Sequence, residues 1–241
     1  KIYFTIYNQY YTKMINTDKT YLVHYTKLED RKKRVDQQFE HFGIDFECIS
    51  QFDQEDLTDE LLQKHYDSSE ESYNSKIHPT YGNGSTPHRI LSRGEISCVF
   101  KHKVAIQKIA KECDNYGVVF EDDAVFVEDF VEKFNQFLDS TPDDWDAIFI
   151  GSCAGLRIAP QFLKENVYAY KVNHPASKGT DSYLLKRDLA EKISGTMDKF
   201  VTAADWELSY QLKLHNANVY WWEPPLVAQG SEIGLYKSEL R

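Results

Sequence analysis

Cysteine is scarce in this chain, and long apolar runs are missing. The 241 residues include four cysteines, none in a C-x-x-C pair, so the sequence gives no sign of a disulfide scaffold or a structural zinc site, and we expect free thiols. No apolar run approaches the ~20 residues that span a bilayer, which predicts no membrane span. Basic residues (28) are fewer than acidic residues (38), and the net charge of −10 argues against nucleic acid as a partner.

The motifs of several enzyme classes are also absent. Without G-x-x-x-x-G-K-[ST] or G-x-G-x-x-G, the chain has neither a P-loop nor a Rossmann fingerprint. Without H-E-x-x-H or G-x-S-x-G, it has neither a zinc-protease nor an α/β-hydrolase signature. The sequence starts at Lys1 with no signal-peptide pattern, so we expect a processed or trimmed chain, or a piece of a longer protein.

Apolar periodicity predicts strands that alternate with helices along most of the chain. Residues 21–23, 29–42 and 44–49 form the first predicted β-α-β unit, whose connection favours a parallel strand pair. Ser92 and Glu95 have the spacing of a capping box at the start of a helix. Further helices are predicted over 93–113, 128–138, 187–193 and 205–214, and further strands over 116–120, 146–151, 167–172, 180–185 and 218–222. This alternation predicts an α/β fold.

Two segments fall outside this pattern. Residues 1–18 carry an aromatic stripe at helical spacing, which predicts a helical extension packed on the domain or on a second chain; an interfacial membrane helix is the alternative. Residues 67–89 are rich in Ser, Asn, Gly and Pro, which predicts a mobile surface loop and a candidate lid. Asn83-Gly84-Ser85 within it is a glycosylation sequon that matters only in a secretory compartment. Residues 19–241 are expected to form a single domain.

Three consecutive carboxylates give the strongest chemical signal. Glu121, Asp122 and Asp123 directly follow an apolar predicted strand, and their mutual repulsion is costly unless a positive group neutralises them. At a strand's carboxyl end they would face the crevice where open α/β sheets bind ligands. Carboxylates in this position suit Mg²⁺ or Mn²⁺ together with substrate phosphates. A solvated turn is the alternative, and a phosphatase or nucleotidyltransferase would use the same cluster.

A series of motifs, in order, resembles glycosyltransferase family 25, which includes lipooligosaccharide β-galactosyltransferases and collagen galactosyltransferases. The resemblance runs from about residue 19 to 230, with His24 in place of the family's Asn and Lys101 in place of its Ser. The matching segments are residues 20–25 with Asp30 and Arg31, 43–47, 91–98 with Lys101 and His102, 120–124, 145–151, 179–185 and 204–205.

The resemblance implies a GT-A fold with a mostly parallel central sheet flanked by helices. It also implies an inverting, metal-dependent transfer of a hexose, galactose or glucose, from a UDP-sugar to a hydroxyl of a glycan or glycosylated protein. A non-catalytic glycan- or nucleotide-binding domain with a degenerate GT-A fold is the alternative. The expected location is the cytoplasm or a membrane surface, or the ER lumen if the chain is cut from a longer secretory protein. Peripheral membrane association and a homodimer through residues 1–18 are further expectations.

The implied site residues fall into four groups. Mn²⁺ or Mg²⁺ would bind Asp123, assisted by Glu121 or Asp122. Asp205, which starts a predicted helix after the metal motif, is the first candidate for the general base, with an N-cap role as its alternative; Glu207 and Asp181 are second choices. Trp221 and Trp222 are expected to stack on the acceptor, unless they divide between core and surface. Donor binding is expected of His24, Arg31, Glu121, Asp122, Thr180 and His102, where Arg31 could instead be a solvated residue and His102 a hydrogen-bonded core residue.

Overall fold

A central seven-stranded sheet organises the computed structural model, which describes residues 14–82 and 87–237. Its strand order is β2-β1-β3-β7-β5-β8-β6, and β4 and β9 form a separate antiparallel ribbon. Strands β1, β2, β3, β5 and β8 run in one direction, whereas β6 and β7 run in the opposite one. The strands are β1 (Lys19–Val23), β2 (Glu47–Ile49), β3 (Tyr116–Glu121), β4 (Ala124–Phe126), β5 (Ala147–Phe149), β6 (Ala169–Val172), β7 (Ser182–Lys186), β8 (Val219–Trp222) and β9 (Val227–Gln229).

Helices cover both faces of this sheet. Side chains of α4, α6 and α7 pack in one apolar cluster, and those of α1 and α5 pack in another on the opposite face. Because the central strands are buried on both faces, they are apolar throughout rather than alternating. The helices are α1 (Glu29–Phe42), α2 (Asp59–His65), α3 (Glu70–Tyr81), α4 (Arg93–Glu112), α5 (Phe130–Ser140), α6 (Arg187–Thr196) and α7 (Ala204–Leu214). The mostly parallel sheet with helices on both faces confirms the predicted α/β class and is consistent with a GT-A-like fold.

Local signals placed several of these elements correctly. Helix α1 has the predicted bounds, and Gly43 ends it in the left-handed conformation at φ 64°, which glycine adopts without steric cost. Strands β1 and β2 are parallel, as their helical connection predicted. Ser92 and Glu95 form both hydrogen bonds of the capping box at the start of α4.

The predicted loop over residues 67–89 is instead helical across Glu70–Tyr81. Ser69 caps α3 by accepting the Ser72 N–H, and Tyr73 and Ile77 are buried beside Val201. The few apolar residues lie on one stripe, so the polar composition of the segment concealed the helix. Movement of this segment with donor stays a prediction. The sequon and most of the predicted N-terminal extension lie outside the described residues, in 83–86 and 1–13.

Among the helices described, none combines the length and the apolar character needed to cross a bilayer.

Candidate functional site

The candidate site lies where β1 and β3 end side by side. The two strands are parallel, and Val23 pairs with Glu121 at this edge, so the residues that follow them come together. A cleft of about 680 Å³ opens here, beside a smaller cavity of about 100 Å³, and Cys98, Glu121 and Ser231 line both. The acidic triplet therefore faces open space at a strand end, as expected.

Asp122 is held by the side chains of His24 and Arg31. Its carboxylate contacts His24 Nδ1 at 2.9 Å and accepts a hydrogen bond from Arg31 Nη1 at 3.1 Å, and the Tyr25 N–H donates to it at 3.2 Å. The side chains of His24, Arg31 and Asp122 are largely buried, so Arg31 is not a solvated residue. The structure thus brings together three of the predicted donor-binding residues, but they bind one another, and the charge of Asp122 is compensated within the protein.

Arg31 also links this network to the C-terminal segment. Its second guanidinium nitrogen donates a hydrogen bond to the Lys237 carbonyl at 2.5 Å, and the guanidinium lies 5.0 Å from the centre of the Tyr236 ring. The Asp123 carbonyl accepts the Gly230 N–H at 2.7 Å, and its carboxylate accepts the Ser231 N–H at 3.2 Å. The last described residues therefore form one side of the site.

Glu121 turns toward a second buried network. Thr180 Oγ1 donates to its carboxylate at 2.6 Å, and His102 Nε2 lies 3.0 Å from the same oxygen. The other ring nitrogen of His102 lies 3.1 Å from the Tyr183 hydroxyl. His102 is thus a hydrogen-bonded buried histidine and is also at the edge of the site, so both interpretations of it hold.

Asp123 and Asp181 are buried acids, and each has one carboxylate oxygen that lacks a hydrogen-bond partner among the described residues. Burial, together with the charge of Glu121, raises the pKa of Asp123 to about 6. Burial and the charges of Glu121 and Asp123 raise the pKa of Asp181 well above its usual range. Among the described residues, neither Asp123 nor Asp181 forms an ion pair of its own, and a divalent cation at Asp123 would supply the missing positive charge.

Asp205 lines the larger cleft, and its chemistry suits a proton acceptor. It is the second residue of α7, whose N-cap is Ala203, so the N-cap interpretation of Asp205 is wrong. Burial raises its pKa, and the charge of Glu121 acts in the same direction. Neither Glu207 nor Asp181 lines either cavity; Glu207 is fully buried and accepts hydrogen bonds from Gln211 Nε2 and the Val201 N–H. Glu207 therefore has a structural role here.

The predicted acceptor role of Trp221 and Trp222 is wrong. Trp222 is fully buried and donates to Thr141 Oγ1 at 3.0 Å, and Trp221 donates to the Ala176 carbonyl at 2.7 Å. Consecutive residues of a strand point to opposite faces, and helices cover both faces of β8, so neither ring lines the cleft. Trp222 lies in the core and Trp221 is only half-buried, so the pair is closer to the division between core and surface that the sequence left open as an alternative.

Trp206 is the cleft aromatic that sequence reasoning missed. It follows Asp205 directly and lines the larger cleft together with Tyr73, and its ring packs on Tyr81 with 4.0 Å between ring centres. The sequence did contain a signal for Trp206. Asp205 is the candidate base at the start of a predicted helix, and an aromatic residue directly after it is expected to lie near the same cleft.

Comparison with known proteins identifies the family of this chain. The model of "Glycosyltransferase family 25 (LPS biosynthesis protein)" matches residues 17–207. The chain is 24% identical over 196 residues to procollagen galactosyltransferase 2 of Homo sapiens, an alignment that covers 80% of this chain and 30% of that relative. The chain therefore spans less than a third of the length of the curated relative it matches. Since the family model covers most of the chain, including the acidic triplet and Asp205, this protein belongs to glycosyltransferase family 25.

Proposed function

We propose that this glycosyltransferase moves a hexose, galactose or glucose, from a UDP-sugar to a hydroxyl of a glycan or glycosylated protein, with inversion at the sugar. The observation that carries the proposal is the state of the acidic triplet. Asp122 is neutralised by Arg31 and also contacts His24, whereas Asp123 keeps a buried oxygen without a partner among the described residues. The name of the human relative favours galactose as the sugar.

The residues present fit a hard divalent cation at Asp123. Carboxylate oxygens are the ligands that Mn²⁺ and Mg²⁺ prefer, and the unpartnered oxygen of Asp123 is buried beside the charge of Glu121. When bound, such a cation neutralises the charge that develops on the departing diphosphate. Arg31 adds a fixed positive charge beside the triplet, while Thr180 and His102 hold the carboxylate of Glu121 in place.

Asp205 is the proposed general base. As the acceptor hydroxyl oxygen bonds to the anomeric carbon, its proton passes to the Asp205 carboxylate, and UDP leaves with the electron pair of the broken bond. The larger cleft, of about 680 Å³, has room for the acceptor, and Asp205, Trp206 and Tyr73 are among the residues that line it. We propose that Trp206, rather than Trp221 or Trp222, stacks on an acceptor sugar, because its ring lines that cleft.

UDP release from UDP-galactose and UDP-glucose, in Mn²⁺, Mg²⁺ or EDTA, tests the proposal. We expect release that depends on the cation and rises when a glycan acceptor is added. In calorimetry, Asp123→Ala should lose metal-dependent UDP affinity, while Asp45→Ala, which removes an exposed carboxylate outside the site, should keep it. Unchanged affinity in Asp123→Ala would refute the metal assignment. No UDP release from either donor would favour the non-catalytic binding domain instead.

A further inference from the structure

A second group of side chains that could bind a metal ion lies at the same strand end. Its ligand atoms include sulfur and nitrogen, unlike the carboxylate oxygens of Asp123. Cys98 Sγ, a ring nitrogen of His102 and a carboxylate oxygen of Glu121 all lie within 4.8 Å of one another. Cys98 and His102 are four residues apart on α4, so they share one face of the helix, and Glu121 is the last residue of β3. The three ligands therefore come from two packed, regular elements, which hold them in place before any ion binds.

We propose that Cys98, His102 and Glu121 form a binding site for a thiophilic divalent cation, of which Zn²⁺ is the type case. Tetrahedral zinc with these ligands places their atoms about 3.3–3.7 Å apart, so shifts on the order of 1 Å would complete the site. On binding, the Cys98 thiol releases its proton to solvent as the sulfur–metal bond forms. A thiolate, a carboxylate and a neutral imidazole then balance the two charges of the cation.

Hydrogen bonds from neighbouring side chains orient His102 and Glu121 as a metal site requires. The Tyr183 hydroxyl lies 3.1 Å from His102 Nδ1 and can accept its N–H, which leaves Nε2 free to bind metal. Thr180 Oγ1 donates to the same Glu121 oxygen that faces His102, so it fixes the carboxylate as well. Cys98 and Glu121 line both cavities, so a water molecule has access to the fourth ligand position.

The chemistry separates this site from the one at Asp123. Mn²⁺ and Mg²⁺ prefer oxygen ligands, whereas thiolate and imidazole ligands favour zinc. Excess Mg²⁺ is therefore not expected to displace Zn²⁺ from Cys98. Glu121 is common to both sites, so Zn²⁺ bound to it should inhibit sugar transfer by removing Glu121 from the site at Asp123. This one consequence rests on the proposed function. The Zn²⁺ site itself does not depend on that function.

Cobalt spectroscopy on the EDTA-treated full chain tests the site without any activity measurement. Co²⁺ replaces Zn²⁺ in such sites and reports a bound thiolate by a charge-transfer absorption. We expect that absorption in the wild type, its loss in Cys98→Ser and its retention in Cys153→Ser, which changes another thiol of the larger cleft. Tyr183→Phe should keep the absorption but weaken Zn²⁺ binding about 10–100-fold. No thiolate absorption in the wild type, or its persistence in Cys98→Ser, would overturn the proposal.

A second measurement needs no variant and so does not depend on Cys98→Ser folding. Alkylation of the wild type, followed peptide by peptide by mass spectrometry, should be slowed by Zn²⁺ at Cys98 and unchanged at Cys48, which lies on β2. Equal alkylation of Cys98 with and without Zn²⁺ would refute metal binding to its sulfur.

Discussion

The ammonium group of Lys101 donates a hydrogen bond of 2.5 Å to the backbone carbonyl of His24. At these two positions, His24 and Lys101, the resemblance to family 25 leads us to expect Asn and Ser. Lys101 also forms a buried ion pair with Asp53, which in turn accepts hydrogen bonds from Thr26. The two departures are therefore in contact, and they share one network beside the site.

Removing the charge of Lys101 should destabilise the protein, because Asp53 would remain buried without its partner. For Lys101→Met we expect the free energy of unfolding to fall by about 3–5 kcal/mol, the usual cost of breaking a buried pair from one side. Urea denaturation measures it. The double variant Lys101→Met/Asp53→Asn should recover part of the loss, and simple additivity of the two single effects would show that the pair is not coupled.

Asp123→Asn should stabilise the protein at neutral pH when no metal is present. In the unfolded chain this carboxyl ionises near its ordinary pKa of 3.8, whereas in the folded protein its pKa is about 6. Its ionisation therefore costs stability as the pH rises between these values, and the cost of roughly 3 kcal/mol persists above pH 6. Thermal unfolding in EDTA should show a higher Tm for the variant at pH 7 and a vanishing difference near pH 4.

The wild type and Asp123→Asn also test whether a cation binds at Asp123. Mn²⁺ should raise the Tm of the wild type and leave that of Asp123→Asn nearly unchanged, because a ligand that binds the folded state alone stabilises it by mass action. Equal increases in both proteins would place the cation elsewhere.

Asp205→Asn should keep donor binding and lose catalysis. A positioned base is worth about 10²–10⁴ in rate, and asparagine cannot accept the proton at neutral pH. Since Ala203 is the N-cap of α7, even Asp205→Ala should change stability little, by the roughly 0.3–1 kcal/mol of an acid in a first helical turn. kcat, Tm and UDP affinity are the measurements. A raised acceptor KM with a normal kcat would instead assign Asp205 to acceptor binding.

Glu207→Gln is the control for that experiment. Its carboxylate is fully buried and holds Gln211 and the Val201 backbone, so we expect a lower Tm and a normal kcat per folded molecule. A kcat loss as large as that of Asp205→Asn would move the base to Glu207.

Trp206→Ala should raise the acceptor KM while leaving hydrolysis of the donor alone unchanged, since its ring lines the cleft and not the smaller cavity beside the triplet. Trp206→Tyr should retain most of the affinity because an aromatic face remains. Trp221→Phe is the matched control and should lower stability by about 1 kcal/mol through the lost hydrogen bond to Ala176, with no change in KM. Initial rates over a range of acceptor concentrations decide between these outcomes.

The sequence predicted the elements whose burial leaves a strong periodic pattern. The buried faces of α1 and α4 and the apolar run of β3 were recognised on that basis. Helix α3 was missed because only Tyr73, Ile77 and Thr80 are buried on it. Strands β4 and β9 were missed because each has three residues and lies outside the main sheet. Short strands that pair with each other rather than with the main sheet leave almost no pattern in the sequence.

The acidic residues of the site could be predicted from the sequence, but the residues that bind them could not. The triplet stood out because three consecutive charges after an apolar strand are unusual. Asp122, however, is bound by Arg31 and His24, which are 91 and 98 residues away in sequence. Trp221 and Trp222 were misplaced for the same reason, since only the strand order shows that β8 is internal to the sheet.

The hydrogen bonds from Gly230 and Ser231 to Asp123, and from Arg31 to Lys237, bear on how this protein can be shortened for expression. The last strand of the described residues ends at Gln229, so residue 229 would look like a natural place to cut. A chain cut there would keep every strand and helix described above and would still lose one side of the candidate site. Cooperative unfolding would then be a poor guide to whether a shortened variant is intact, and boundaries should be chosen by donor affinity.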